Sequence, residues 1–265
     1  MSAALHHSNR PARGRLARAG CFASVLVAGI AALALLDVIP GGWRLRTLII
    51  PQSVQDTRRR ASHRADRMEL FAKEPTPAPG GTLFLGSSTI ERFPLAEHFG
   101  ALAPLQLSPI NRGIGDEDLA GLEARALATA RRLQPARVVL YAGSVNVRRA
   151  IDNGTWTPPG DIVVRAGQIA QQLLAQPSID RVVLLGILPE RETGGELETR
   201  VRETNAGLAA LAAWREGISF LPTARGPLVD EYGDLRPDYT ADRLHLNEAG
   251  YGVLAGWLSA HLSDD

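Results

Sequence analysis

A short apolar run stops at a glycine and two serines in the segment Thr82-Leu83-Phe84-Leu85-Gly86-Ser87-Ser88-Thr89-Ile90. A run of this kind predicts a buried strand of an α/β sheet. Open α/β sheets bind their ligands beyond the carboxyl ends of the strands, which is where the two serines stand. Taken alone, either serine could instead cap the helix that follows. The function of the pair therefore depends on the rest of the chain.

Further runs rich in apolar and β-branched residues recur downstream, with helix-like segments of 3.6-residue period between them. The predicted strands are 83–85, 137–141, 181–188 and 218–221, with a weaker one near 105–110. The predicted helices are 117–133, 162–174, 197–214 and 250–262. Strands that alternate with helices predict a parallel sheet with helices on both faces, in one domain at residues 82–265.

Composition narrows the functional classes. The chain has 265 residues and a formal net charge of +1, and nothing in that balance indicates a nucleic-acid partner. The single cysteine, Cys21, lies in the N-terminal apolar stretch. Disulfides, Cys-ligated zinc and a cysteine nucleophile are therefore excluded for the main domain.

The N-terminal region predicts a membrane anchor. A basic segment at residues 1–19 precedes an apolar run at 20–39, and about 20 helical residues span the roughly 30 Å hydrocarbon core of a bilayer. The basic flank predicts a cytoplasmic N-terminus, with the main domain outside the cytoplasm, periplasmic or extracellular. Two alternatives stay open: a cleaved signal peptide, suggested by Ala32-Leu33-Ala34, and a buried soluble helix.

Residues 40–81 are predicted to form a juxtamembrane stalk and a Pro/Gly-rich linker, with the domain boundary before Thr82. The arginine-rich part at 52–73 is either a helix or a solvated stalk. Its arginines, including Arg60, Arg64 and Arg67, could contact anionic head groups or form an ordinary solvated face.

A second polar motif, Asp242-Arg243-Leu244-His245, lies near the end of the chain. A serine hydroxyl is a poor nucleophile unless a base takes its proton. An acid three residues before a histidine can hold one ring nitrogen and leave the other to face a hydroxyl. The alternative is a surface Asp and His at a helix start, with Asn247 as the N-cap.

Two turns that contain glycine follow predicted strands, Asn111-Arg112-Gly113-Ile114-Gly115-Asp116 and Tyr141-Ala142-Gly143-Ser144-Val145-Asn146. Glycines at such a place let backbone N–H groups converge on an anion, as an oxyanion hole requires. The Asn146 amide could add a donor. The alternatives are an ordinary turn with Asp116 as the N-cap of the next helix, and a simple turn asparagine.

In this order and spacing, four segments resemble the sequence blocks of the SGNH (GDSL-type) hydrolase family. The segments are Leu85-Gly86-Ser87-Ser88, Asn111-Arg112-Gly113-Ile114-Gly115, Tyr141-Ala142-Gly143, and Asp242-x-x-His245-Leu-Asn with Gly250-Tyr251. The resemblance covers about residues 83–262. It implies a flavodoxin-like three-layer α/β/α sandwich without a metal or organic cofactor.

The resemblance implies a serine esterase for small acyl esters, on a small molecule or on an envelope glycan or lipid. Ser88 would be the nucleophile, His245 the base and Asp242 its partner. Gly115, Asp116 and Asn146 would form the oxyanion hole.

Three positions depart from the family pattern: Ser87 stands for an Asp, Asp116 for a Gly and Val145 for an Asn. Valine cannot donate a hydrogen bond. One alternative is therefore a catalytically impaired domain that binds a glycan or lipid, and another is an acyl transferase.

Overall fold

The computed structural model describes residues 51–100, 107–152, 157–191 and 195–263, together with Gly29; the side chains of residues 151 and 152 are not described. The helices, in chain order, are α1 Gln52–Lys73, α2 Ser88–Glu91, α3 Leu95–Phe99, α4 Leu119–Leu133, α5 Ser144–Asp152, α6 Pro159–Leu174, α7 Gly195–Ala213 and α8 Glu248–Ser263. The strands are β1 Thr82–Gly86, β2 Pro109–Gly113, β3 Arg137–Tyr141, β4 Arg181–Leu185 and β5 Ile218–Leu221. A 3₁₀ turn at Pro237–Tyr239 precedes α8.

The five strands form one parallel sheet in the order β2-β1-β3-β4-β5. This is the flavodoxin-like order of a doubly wound sheet, in which ligands bind where the strand order reverses. At the carboxyl edge, Gly86 of β1 pairs with Gly113 of β2 and with Tyr141 of β3. The sheet therefore confirms the predicted parallel architecture and brings three of the four polar segments to one edge.

Side-chain alternation along β1 explains the layers. Leu83 and Leu85 pack into a core cluster with α4, α6 and α7, whereas Phe84 packs into a second cluster with α3 and α8. All three side chains are fully buried. Because both faces of the sheet are covered, its strands read as continuous apolar runs rather than alternating ones. The result is a three-layer α/β/α sandwich.

Two strands differ in their bounds from the sequence-based prediction. β4 ends at Leu185 rather than at residue 188. Beyond it, side chains replace the sheet ladder: Thr223 donates to the Gly186 carbonyl at 2.5 Å, and the Asn205 amide bonds both backbone groups of Ile187 at 2.7 and 2.8 Å. β2 lies at Pro109–Gly113, later than the weak run near 105–110, of which residues 105–106 lie outside the described residues.

Residues Arg60–Asp265 form one compact unit, so the predicted boundary before Thr82 falls inside it. Phe71 of α1 is buried within that unit. The predicted anchor at 20–39 lies outside the described residues except for Gly29. Among the described helices, none has the length and apolar character that crossing a bilayer demands.

Candidate active site

The two serines after β1 have different surroundings. Gly86 ends the strand, and a Cβ at this position would lie 2.6 Å from the carbonyl oxygen of Tyr141. Ser87 occupies the N-cap position of α2 but makes no capping hydrogen bond. Its buried hydroxyl lies 3.2 Å from the hydroxyl of Ser144 on α5. Ser88 begins α2 and is partly exposed, so it is the serine that a ligand can reach.

A histidine and an aspartate from the far end of the chain meet Ser88. His245 Nε2 lies 3.0 Å from Ser88 Oγ, and His245 Nδ1 lies 2.7 Å from Asp242 Oδ2. An ionised carboxylate can only accept, so Nδ1 carries the ring proton and Nε2 accepts from the Ser88 hydroxyl. The hydrogen-bonded chain therefore has the geometry for moving a proton from Ser88 to His245.

Asp242 is fixed by its own backbone neighbourhood. Its Oδ1 accepts the N–H groups of His245 at 2.7 Å and of Leu244 at 3.1 Å. Burial by itself would raise the pKa of Asp242, but these bonds and the His245 ring outweigh it and lower the pKa to about 2. The carboxylate is therefore ionised at neutral pH and can stabilise an imidazolium.

The segment that carries Asp242 and His245 is tied to α8 and to α2. Asn247 Oδ1 accepts the Gly250 N–H at 3.0 Å, so Asn247 caps α8 as one alternative predicted. The Tyr251 hydroxyl donates to the Thr89 carbonyl at 2.8 Å, next to Ser88 in the chain. Burial raises the pKa of Tyr251, which keeps this donor protonated. The helix cap and the Ser–His–Asp arrangement thus coexist.

In the turn after β2, one backbone N–H group is without an acceptor among the described residues and another is bound within the protein. Asp116 has a left-handed backbone with φ of +56°. Its carboxylate lies 3.2 Å from Arg149, which also donates to the Asp116 carbonyl at 2.7 Å. The Gly115 N–H donates to the Glu91 carboxylate. Within the described parts of the chain, the backbone N–H groups of Ser88 and Asp116 have no acceptor.

Asn146 lies on α5 and its side chain contacts the preceding helix, α4. Its Oδ1 accepts the Leu119 N–H at 2.9 Å in the first turn of α4. Asp118 is the N-cap of that helix and accepts the Gly121 N–H at 2.9 Å, so the alternative that Asp116 is the N-cap is wrong. The Nδ2 group is what remains for Asn146 to offer as a donor.

Sequence reasoning missed Glu91 and the contact made by the hydroxyl of Tyr141. Glu91 lies three residues after Ser88 on the same short helix and binds the Gly115 N–H and His63. The Tyr141 hydroxyl accepts the Leu188 N–H at 3.3 Å, and burial raises the pKa of Tyr141. The three-residue spacing from Ser88 was the sequence signal for Glu91, and for Tyr141 it was the place at the end of a predicted strand. Among the described residues, no group of three or more His, Cys, Asp or Glu side chains is arranged to hold a metal ion.

Comparison with known proteins gives one family. The model of the GDSL-like Lipase/Acylhydrolase family matches residues 84–253. No curated protein matches the chain.

Solved structures share the fold at low sequence identity. A protein from Streptococcus pneumonia, provisionally named a platelet activating factor, is 21% identical with a TM-score of 0.63, covering 80% of this chain and 100% of its own. A GDSL-like lipase from Bacteroides thetaiotaomicron is 20% identical with a TM-score of 0.58, covering 77% and 97%. The acetyl xylan esterase AlAXEase is 19% identical with a TM-score of 0.56, covering 68% and 98%.

Proposed function

The chain belongs to the GDSL-like lipase/acylhydrolase family, and from this premise we propose that it is a serine esterase with Ser88 as nucleophile, His245 as base and Asp242 as the partner of that base. The observation that carries the proposal is the continuous hydrogen-bonded chain from Ser88 Oγ through the imidazole to Asp242. The Ser88–His245 contact depends on the fold, because these two residues are separated by 157 positions.

Catalysis begins when the Ser88 oxygen attacks the ester carbonyl and His245 Nε2 takes its proton. Asp242 keeps Nδ1 protonated and balances the imidazolium charge. The imidazolium then gives its proton to the leaving alkoxide, and an acyl-serine forms. Water, deprotonated by the same nitrogen, releases the carboxylic acid and restores Ser88.

The backbone N–H groups of Ser88 and Asp116 are the proposed oxyanion donors. Gly115 was also predicted to form the oxyanion hole, but its N–H is already bound to the Glu91 carboxylate. Its contribution is therefore to close the turn. Asn146 Nδ2 is the candidate for a third donor. Removing one such donor typically lowers kcat by about 10²–10³-fold.

Small acyl groups on a glycan or lipid of the cell envelope are the proposed substrates. The similarity in fold to an acetyl xylan esterase supports a short acyl group, as an analogy. Assays with p-nitrophenyl acetate, butyrate and octanoate measure the preferred length. Acetate should give the highest kcat/KM, and a rise towards octanoate would contradict the small-acyl assignment.

Replacing Ser88 tests the proposed function itself. Ser88→Ala in the full-length chain should lower kcat on p-nitrophenyl acetate by about 10³-fold or more. Ser87→Ala is the matched control, because it removes the neighbouring hydroxyl and its bond to Ser144 without touching the relay. Equal turnover in wild type and Ser88→Ala would refute the assignment.

A binding domain without catalysis is the second candidate, favoured by Val145 at the position where the family has its donor asparagine. A fluorophosphonate probe separates the two functions. Stoichiometric labelling of wild type but not of Ser88→Ala supports the esterase, whereas no labelling of wild type supports the binding domain. Acyl transfer in place of hydrolysis would give an acylated alcohol, detectable by mass when an alcohol acceptor is added.

We also propose that residues 20–39 anchor the chain in a membrane, with the esterase domain outside the cytoplasm. The support is the length and apolar character of this run after a basic flank. Protease added to spheroplasts should digest the domain, which would otherwise stay with the membrane fraction, and protection of the domain in spheroplasts would contradict the proposal. An intact N-terminal mass would separate an anchor from a cleaved signal peptide.

A further inference from the structure

One side of α1 faces the turn that contains Asp116. Arg60, His63, Arg64 and Arg67 have the spacing i, i+3, i+4, i+7, which places them on one face of a helix. Their contacts are Arg60 Nη1 to Asp116 Oδ2 at 3.5 Å, His63 Nε2 to Glu91 Oε2 at 3.0 Å, Arg64 Nη1 to Glu117 Oε1 at 3.2 Å and Arg67 Nη2 to the Gly113 carbonyl at 3.2 Å. The face predicted to be solvated, or to meet lipid head groups, is thus directed at the turn.

Two glycines, Gly115 and Gly121, leave room for side chains of α1 and α2 to lie directly against the backbone. A Cβ on Gly115 would lie 3.0 Å from Glu91 Oε2 and 3.2 Å from His63 Nε2. A Cβ on Gly121 would collide with the guanidinium of Arg64. The absence of side chains at both positions lets α1 pack directly on the turn and on the start of α4.

Negative charge at the contact between α1 and the turn would disfavour the proposed ester hydrolysis unless positive charge balances it. Glu91 and Asp116 place two carboxylates beside the proposed oxyanion donors, where negative charge disfavours a developing oxyanion. Asp116 stands where the family pattern has a glycine. Arg149 approaches its carboxylate at 3.2 Å from α5, and Arg60 approaches the other oxygen at 3.5 Å from α1. The two guanidiniums hold this carboxylate between them.

We propose that Arg60 is a positioning residue of the active site. Together with Arg149 it holds the Asp116 carboxylate away from the oxyanion donors and offsets its charge, which keeps the Asp116 N–H usable as a donor. The role follows from the Asp116 substitution itself, since a glycine at this position would need no such partner. The inference rests on the proposed esterase function.

The test is a double-mutant cycle on the full-length chain with p-nitrophenyl acetate. Arg60→Ala should lower kcat by about tenfold with KM changed by less than about twofold, because the lost interaction acts on the transition state. In the Asp116→Gly background, the same Arg60→Ala change should alter kcat by less than about twofold. Arg60→Lys keeps the charge and should restore most of the activity.

The matched control is Arg59→Ala, which removes the same charge from the same helix; Arg59 pairs with Asp56. It should leave kcat unchanged. Equal losses from Arg60→Ala in both backgrounds, with or without a fall in Tm, would overturn the inference, as would no loss in the wild-type background. If Ser88→Ala retains activity, the proposed function fails. If Ser88→Ala abolishes activity while Arg60→Ala does nothing, only the role of Arg60 fails.

Discussion

Asp242→Asn is the change that separates the electrostatic role of this residue from its structural role. The Oδ1 of Asp242 accepts two backbone N–H groups, those of Leu244 and His245. An asparagine oxygen at the same place keeps both bonds, so the loop should hold its shape. The asparagine NH₂ then replaces Oδ2 opposite His245 Nδ1, 2.7 Å away in the native protein. A donor at this place forces the ring proton to Nε2, where it opposes the Ser88 hydroxyl.

The magnitude follows from what the variant loses. A base in the wrong tautomer cannot accept the Ser88 proton, and the imidazolium no longer has an anionic partner. Replacing a fully buried aspartate by asparagine in a Ser–His–Asp site lowers kcat by about 10⁴-fold. Asp242 is half exposed, with 51% of its side chain accessible, so solvent screens part of its charge. We expect a loss of about 10³-fold, equivalent to about 4 kcal/mol.

The assay is kcat and KM on p-nitrophenyl acetate at neutral pH, with Tm as the check on folding. Asp238→Asn is the matched control, because it removes a nearby, largely exposed carboxylate that pairs only loosely with Arg236 at 4.0 Å. The control should change kcat by less than about twofold. A loss below about tenfold for Asp242→Asn, with the variant still folded at the assay temperature, would refute the assigned tautomer and the role of Asp242.

Three further outcomes follow from the geometry. The pKa of Asp242 is about 2 in the folded state and about 3.9 in an unfolded chain, so its ionised form adds stability above about pH 4 that is lost as the pH falls towards 2. The Tm advantage of wild type over Asp242→Asn should therefore shrink between pH 4 and pH 2. A Tm difference that stays constant over this interval would contradict the prediction. Gly115→Ala should lower kcat by about tenfold, because the added methyl group would push Glu91 and His63 aside. The control is Gly252→Ala, whose Cβ would meet only His98 at 3.9 Å and which should leave kcat unchanged. Equal kcat in both variants would count against the close packing of Glu91 and His63 on Gly115. Glu117→Gln should lower the free energy of unfolding in urea by about 3 kcal/mol, because Glu117 and Arg125 form a buried ion pair with 2% and 4% of their side chains exposed. The control is Glu198→Gln, which removes one charge of an exposed pair. A loss of unfolding free energy below about 1 kcal/mol for Glu117→Gln would show that the buried pair is dispensable.

The sheet and the order of its elements were predictable from local pattern. β3 and β5 match the predicted strands residue for residue, because buried parallel strands are short apolar runs bounded by polar residues. The end of β4 was not predictable, since the segment after Leu185 stays apolar and buried while Thr223 and Asn205 take over its backbone hydrogen bonds. Those partners are distant in sequence and leave no local signal.

The candidate site divides in the same way. Asp242 and His245 are three residues apart, so their pairing is a local property that the sequence carries. The meeting of His245 with Ser88 was predicted only through the resemblance to a family. The role of Glu91 and the contact of His63 with it depend on packing between α1 and the turn after β2, and no spacing rule predicts such a contact.

The Tyr251–Thr89 hydrogen bond has a consequence for the timing of activity during synthesis. Ser88 leaves the ribosome early, while His245 and the helix that holds it in place come within the last part of the chain. Domains generally fold as units, so a domain made from both segments waits for the later one. A nascent chain can therefore display Ser88 without its proposed base until α8 docks. Docking of α8 is thus the step that completes the proposed active site.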